Sequence, residues 1–271
     1  MNFQAVLLRP TQDVRQPLQQ QSGMQQNRVI CESARITSKR YYTVCKLNIK
    51  IRDMKTILTL FFDLDDTLYR PDSGLWGAIR ARIDQYLLEK VGIPADQISH
   101  VRESFFKSYG TTLRGLQTEY QVDSRDYLKF VHDIPLDRYI QPDQQLAEVL
   151  KRLPHRKVIF TNADRGHAQR VLSILGIPSF FDRIIDILDI EPYCKPMPQA
   201  YQIAFEKAGI TSPTQCVMLD DSLLNLKTAA ELGMRCIWVN PEHQTNHSDC
   251  IRIRNLYELP DVISSLCKED E

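Results

Sequence analysis

The sequence has no excess of charge of either sign, since 34 Lys and Arg are balanced by 34 Asp and Glu. That balance removes the overall basic field expected of a protein that binds a nucleic acid polymer, and equally the acidic excess of a disordered chain. Long apolar runs are missing too. Nothing approaches the roughly 20 residues needed to cross a bilayer, and the longest candidate, Ile57 to Phe62, is the size of a strand, so no membrane association is expected. Paired cysteines are also lacking. The seven cysteines are odd in number, scattered, and never spaced as CxxC, which favours a reduced, cytoplasmic compartment.

What is present is a chain of 271 residues, 43% hydrophobic, long enough to bury a sizeable core as one large domain or one domain with an inserted module. Residues 1–54 stand apart: they are basic, rich in Gln, poor in acids and without a clear apolar period, and are expected to be a poorly ordered leader. Two origins suit such a leader. An organelle transit segment fits the charge but not the shortage of serine; an overextended reading frame, with Met54 as the natural start, fits the strand that follows immediately.

Beyond Met54, short β-rich apolar runs alternate with helical periods, the signature of βαβ units on a parallel sheet. Strands are expected at Ile57–Asp63, Lys157–Thr161, Arg183–Ile187, Cys216–Asp220 and Cys236–Val239. Core-facing helices are expected around Ala168, Val171, Leu172 and Leu175, stopped by Gly176, and around Ala200, Tyr201, Ala204, Phe205 and Ala208, stopped by Gly209. The stretch from Ser73 to Gln141 breaks the alternation. It has helical segments and no convincing strand, and its first helix aligns Leu75, Ile79, Ile83, Tyr86 and Leu87 behind a Ser73 N-cap. The expected fold class is therefore α/β, a Rossmann-like parallel sheet core formed by residues 55–72 and 142–271, with a helical module of residues 73–141 inserted after the first strand.

The chemistry-bearing residues collect at strand ends. The first apolar run ends in Asp63-Leu-Asp65-Asp66, at the carboxyl edge where open α/β sheets place ligands. Alternation along an extended strand lets Asp63 and Asp65 face one site, and a hard cation such as Mg²⁺ would offset their repulsion while joining carboxylates to a phosphate. The second strand ends in Thr161-Asn162, a hydroxyl and an amide ahead of a helix N-terminus that favours anions. Lys195 follows between Cys194 and Pro196, and the fourth strand ends in Asp220-Asp221-Ser222, with Asn225 in the next helix.

In this order the residues resemble the haloacid dehalogenase-like superfamily of phosphohydrolases: the DxDxT signature as Asp63-Leu-Asp65-Asp-Thr67, then Thr161, Lys195 and the Asp220-Asp221 pair. The resemblance implies that Asp63 attacks phosphorus and carries an aspartyl-phosphate, while Asp65 protonates the leaving oxygen and later activates water. It implies that Thr161, with Asn162 beside it, and Lys195 bind the phosphoryl group. Asp63, the backbone carbonyl of Asp65 and Asp221 would hold Mg²⁺, with Asp220 behind them. Leu226 departs from relatives that carry an acid there, which leaves Asn225 and water to complete the metal site. Asp65 itself argues for phosphate esters, because halide departure needs no proton donor. The resemblance also makes residues 73–141 a cap that selects the leaving group.

More narrowly, Tyr109-Gly-Thr-Thr-Leu-Arg-Gly115, Phe160-Thr-Asn-Ala-Asp164 and Cys194-Lys-Pro resemble the pyrimidine 5′-nucleotidase-like branch. That implies a small-molecule phosphomonoester substrate, a pyrimidine nucleoside 5′-monophosphate, read by Tyr69, Arg70, Tyr109, Thr111, Thr112 and Arg114. A sugar phosphate or phosphoglycolate is the competing substrate. A protein that keeps the fold and binds phosphate ligands without turnover is the competing class.

Overall fold

The computed structural model describes residues 57–241 and 250–268; the leader expected over residues 1–54 lies outside them. Six strands form one sheet: β1 (Thr59–Phe62), β2 (Arg156–Phe160), β3 (Arg183–Ile185), β4 (Cys216–Asp220), β5 (Arg235–Val239) and β6 (Ile251–Ile253), in the order β3-β2-β1-β4-β5-β6. Every neighbouring pair is parallel. The chain steps outward from β1 through β2 to β3 and then returns to add β4 on the other side of β1. Loops leaving β1 and β4 therefore part in opposite directions, and a crevice opens at their carboxyl ends.

Both faces of the sheet are covered, which is why its strands read as unbroken apolar runs. Leu60, Phe62, Val217, Leu219, Ile237 and Val239 pack on one side, while Phe61, Cys216, Met218, Cys236 and Trp238 pack on the other. The first side is closed by α5 (Gln144–Arg152), α6 (Arg165–Leu175) and α9 (Leu259–Lys268), the second by α7 (Pro198–Ala208) and α8 (Leu223–Glu231). Local signals set the ends of these helices. Asp143 and Asp164 accept the N–H groups of Leu146 and His167 as N-caps, Pro198 opens α7, and Gly176 and Gly209 close α6 and α7 in the left-handed region.

Between β1 and α5 the chain forms α1 (Leu75–Tyr86), α2 (Ile98–Tyr109), α3 (Thr112–Tyr120) and α4 (Ser124–Val131), with no strand. The stripe of Leu75, Ile79, Ile83, Tyr86 and Leu87 is buried in the same apolar cluster as Leu64 and Leu68 beside the sheet edge. Among the described residues no helix is long and apolar enough to cross a membrane.

Three sequence expectations are corrected. Pairing in β1, β2 and β3 stops one or two residues early, so Asp63, Thr161, Asp186 and Ile187 lie beyond the strands. Asp63 and Thr161 still give their N–H groups to Leu219 and Ile185, but the chain then turns away, through a left-handed Asp66 at φ 57° in the first case. β6 was not expected, because Ile251–Ile253 is a three-residue edge strand, too short to show a period. Ser73 is not the N-cap of α1. Gly74 holds that position at φ 80°, and Ser73 Oγ accepts the N–H of Leu75 at 3.2 Å from one residue further out.

Candidate active site

The centre of the crevice is a buried ion cluster built from three chain segments. Lys195 is 1% exposed and donates from Nζ to Asp63 Oδ1 at 2.6 Å and to Asp220 Oδ2 at 2.8 Å. Burial works against its charge, but Asp220 and Asp63 outweigh burial and hold the ammonium firmly protonated. The second oxygen of Asp63 accepts from Thr67 Oγ1 at 3.2 Å, and that hydroxyl in turn accepts the N–H of Asp221. Thr67 therefore ties the end of β1 to the end of β4. Asp220 is saturated: besides Lys195 it accepts from the N–H of Ser222 and from Asn225 Nδ2.

The lysine is positioned by its backbone as well as its charge. Asn162 Oδ1 accepts the N–H of Lys195 at 2.9 Å, and Asn162 Nδ2 donates to the Lys195 carbonyl at 3.0 Å. This reciprocal clip engages both ends of an amide that sequence reasoning reserved for phosphate. Thr161, buried after β2, accepts the N–H of Ala163 at 2.9 Å and lines the crevice. Its hydroxyl hydrogen has no acceptor among its hydrogen bonds to described residues, so it can serve an incoming anion.

Asp65 sits differently. Its Oδ1 receives Tyr69 Oη at 2.7 Å and His167 Nε2 at 2.9 Å. Burial would raise its pKa, but His167 and Tyr69 prevail and hold the carboxyl below its ordinary range. His167 lies one turn into α6, 102 positions from Asp65. Its ring is stacked on His132, which follows α4, at a centroid distance of 4.2 Å, and His132 Nδ1 meets Asp164 Oδ2. No sequence spacing marks His132 or His167, because they meet Asp65 only through the fold.

A cavity of about 620 Å³ opens over this cluster, touching Asp63, Asp65, Asp221, Thr161, Asn162 and Lys195 on the sheet side. The helices between β1 and β2 supply Trp76, Ile79, Arg80, Arg102, Glu103, Phe106, Thr111 and Thr112, and Leu224 of α8 stands nearby. Thr111 and Thr112 thus reach the cavity, although Thr111 Oγ1 already accepts the Arg114 N–H as the N-cap of α3.

Four other residues assigned to specificity lie elsewhere. Tyr69 spends its hydroxyl on Asp65. Arg70 forms an exposed pair with Asp72, and Tyr109 points its hydroxyl at exposed Glu119. Arg114 is buried as a strut, donating to the carbonyls of Ile187 and Tyr193 and to Glu191, so it fastens α3 to the loop that carries Lys195. A second cavity, of about 690 Å³, lies against β3 and α6, but its Arg165, Lys207 and Asp189 are already paired with one another.

The acids present suit a cation. Carboxylate oxygens of Asp63, Asp220 and Asp221 lie within 4.8 Å of one another. Burial raises the pKa values of Asp63 and Asp221, and each is raised further by the charges of its acidic neighbours. Such crowding of buried anions is what an oxygen-loving divalent ion relieves. With Asp220 saturated by protein donors, Asp63 and Asp221 remain the side chains able to ligate it.

Comparison with known proteins agrees with this geometry. The model of the haloacid dehalogenase-like hydrolases matches residues 57–233. Phosphate metabolism protein 8 of Saccharomyces cerevisiae is 31% identical over 188 residues, covering 64% of this chain and 59% of its own length. Among solved structures, a HAD phosphatase from Thermococcus onnurineus aligns with a TM-score of 0.53 at 23% identity, over 76% of this chain and 97% of that one. YfnB of Bacillus subtilis, solved with bound magnesium, aligns with a TM-score of 0.50 at 21% identity, over 77% and 99% of the two chains. The first relative is therefore matched over less than two thirds of its length, and the solved structures speak for the fold. With the family match running from β1 through α8, across every segment that builds the ion cluster, this chain belongs to the haloacid dehalogenase-like hydrolases.

Proposed function

We propose that the protein is a magnesium-dependent phosphomonoesterase that forms an aspartyl-phosphate on Asp63 and takes pyrimidine nucleoside 5′-monophosphates as substrates. The observation that carries this reading is the pair of unlike carboxylates in one cavity. Asp63 is pinned by Lys195 and Thr67, as a nucleophile must be, while Asp65 keeps Oδ2 free of any hydrogen bond to the described residues. An Asp63 oxygen attacks phosphorus, the bond to the leaving oxygen breaks, and that oxygen takes a proton from Asp65, which acts from its minor protonated form because His167 and Tyr69 favour the carboxylate. Asp65, now a carboxylate, accepts a proton from the water that attacks the aspartyl-phosphate, which releases phosphate and restores both acids. Lys195 and the Thr161 hydroxyl balance charge on the phosphoryl oxygens. Asp63, Asp221 and the backbone carbonyl of Asp65 would hold Mg²⁺, which supplies charge neutralisation at the transferring group.

In this reading residues 73–141 act as a cap over the core of residues 55–72 and 142–271. The apolar faces of Trp76 and Phe106 offer stacking surface for a base, with Arg80, Arg102, Glu103, Thr111 and Thr112 as polar partners. The test is a panel of UMP, CMP, AMP, GMP, phosphoglycolate and a hexose phosphate at saturating Mg²⁺. UMP and CMP should give the highest kcat/KM. Purine nucleotides, phosphoglycolate or the sugar phosphate leading by tenfold would overturn the substrate assignment, and failure to release phosphate from any aryl phosphate would overturn the enzyme.

A further inference from the structure

We infer that His167 and Tyr69 are positioning residues that anchor Oδ1 of Asp65 and leave Oδ2 as the oxygen that meets the leaving group. The inference rests on the proposed role of Asp65 and assigns the residues that make that role work.

The hydrogen bonds fix the roles of the atoms. A phenol facing a carboxylate donates, so Tyr69 occupies one acceptor position on Oδ1. His167 is fully buried, and its Nδ1 has no hydrogen-bond partner among the described residues. Were Nδ1 protonated, a buried N–H would be left without an acceptor, which costs on the order of 1–3 kcal/mol. The tautomer with hydrogen on Nε2 leaves only a bare lone pair at Nδ1 and makes Nε2 a second donor to Oδ1. With both acceptor positions of Oδ1 filled, Oδ2 is the oxygen left to take up or release a proton. The same two donors stabilise the carboxylate left behind once the proton has gone.

The rest of the network makes this arrangement rigid. Asp164 Oδ1 caps α6 through the N–H of His167 at 3.0 Å, while its Oδ2 meets His132 Nδ1. The His132 ring lies over that of His167, tilted by only 19°, and Arg170 donates to the His132 carbonyl. His132 belongs to the segment between β1 and β2, and His167 to the sheet-side helix α6. The proton donor is thus held where the two parts of the molecule meet.

The experiment compares kcat/KM for two aryl phosphates at saturating Mg²⁺: phenyl phosphate, whose leaving oxygen needs a proton, and dinitrophenyl phosphate, whose leaving oxygen does not. Neither depends on the natural substrate. Wild type, Asp65→Asn, Tyr69→Phe, His167→Leu and His167→Gln are measured. Asp65→Asn should lose on the order of 10²-fold or more on phenyl phosphate and far less on dinitrophenyl phosphate. Tyr69→Phe and His167→Leu should show the same selective loss in smaller measure, about tenfold each on phenyl phosphate. His167→Gln, whose amide can donate from nearly the same place as Nε2, should recover part of it.

Equal losses on both esters in Tyr69→Phe and His167→Leu, beside a selective loss in Asp65→Asn, would overturn the inference and leave the reading of Asp65 intact. Equal losses in Asp65→Asn itself would overturn that reading. Should His167→Leu fail to fold, Tyr69→Phe decides, since it removes one hydroxyl and no volume.

Discussion

The two walls of the cavity are built on opposite plans. On the sheet side Asp63, Lys195 and Asp220 are buried, charged and bonded to one another and to backbone, leaving each little freedom. On the helical side Trp76 is 39% and Phe106 55% exposed, and beside Arg102, which is paired with Asp84, both present apolar surface with no hydrogen bond to the described residues to hold it. A buried ion network is preorganised, and removing one member strands the others. An exposed apolar wall can repack around different shapes. The difference separates a wall suited to a fixed reaction from one suited to choosing a ligand.

The sharpest way to break this contrast is to disturb the sheet side. Asp63→Asn should abolish turnover and leave no acid-stable phosphoenzyme, and near-normal activity would defeat the nucleophile assignment. Lys195→Met should cost roughly 10²–10³ in kcat and also destabilise the fold by about 3–5 kcal/mol, because Asp63 and Asp220 would remain buried without a counter-charge. Denaturant titration beside kinetics reads both effects. A kinetic loss without destabilisation would mean that the cluster is less closed than its contacts indicate.

The next effect concerns the cation. Chelation should stop turnover, and Mg²⁺ should restore it while raising the melting temperature. Occupancy at a hundred times Kd adds about 2.7 kcal/mol to the folded state. Asp221→Ala should shift both responses to higher Mg²⁺. Full activity in excess chelator would remove the metal from the proposal.

Between the walls, Gly110 and Arg114 fasten the helices to the Lys195 loop. A Cβ on Gly110 would come within 2.9 Å of Cys194 Sγ and 3.4 Å of the Lys195 carbonyl, at a backbone φ of 83°. Gly110→Ala should therefore cost about 1–3 kcal/mol and lower kcat by displacing Lys195. Arg114→Leu should act likewise, since the carbonyls of Ile187 and Tyr193 lose their donor. Unchanged kcat in a folded Gly110→Ala protein would show that the loop is not held from that side.

This contrast also explains what was legible in the sequence. Asp63, Thr161 and the Asp220-Asp221 pair each end an apolar run, so strand periodicity alone brings them to one sheet edge. Lys195 announces itself through its prolines. In the helical stretch the period shows which face is buried, as with Leu75, Ile79 and Ile83, but not where a polar side chain on another face ends up. Arg114 and Tyr109 therefore read as ligand-binding groups, although one is a buried strut and the other faces Glu119. His167 was invisible because its meaning depends on Asp65, and nothing local records a contact between a strand end and the first turn of a helix so far along the chain.

On the helical wall itself the expected changes are smaller and of another kind. Trp76→Ala and Phe106→Ala should raise KM about tenfold, the worth of roughly 1.4 kcal/mol of lost stacking, while kcat stays near its wild-type value. That split is the signature of uniform binding rather than chemistry. A fall in kcat with unchanged KM would mean that these rings shape the reaction, and the division between the walls would fail.

The smallest effects are expected at the two groups that sequence reasoning placed at the ligand and the structure places away from it. Arg70 is paired with Asp72 in solvent, and the Tyr109 hydroxyl meets Glu119 at the surface. Neither touches the cavity. Surface substitutions away from packing and caps change little, so Arg70→Ala and Tyr109→Phe should leave kcat/KM for UMP within about twofold of wild type. Thr112→Val is the matched control: it lies in the same region but lines the cavity, so a polar contact with the base would appear as a larger KM in that variant alone. If Arg70→Ala instead raised KM for UMP, the loop after Asp66 would have to swing onto the ligand, and the helical side would need to be described as a moving wall rather than a repacking one.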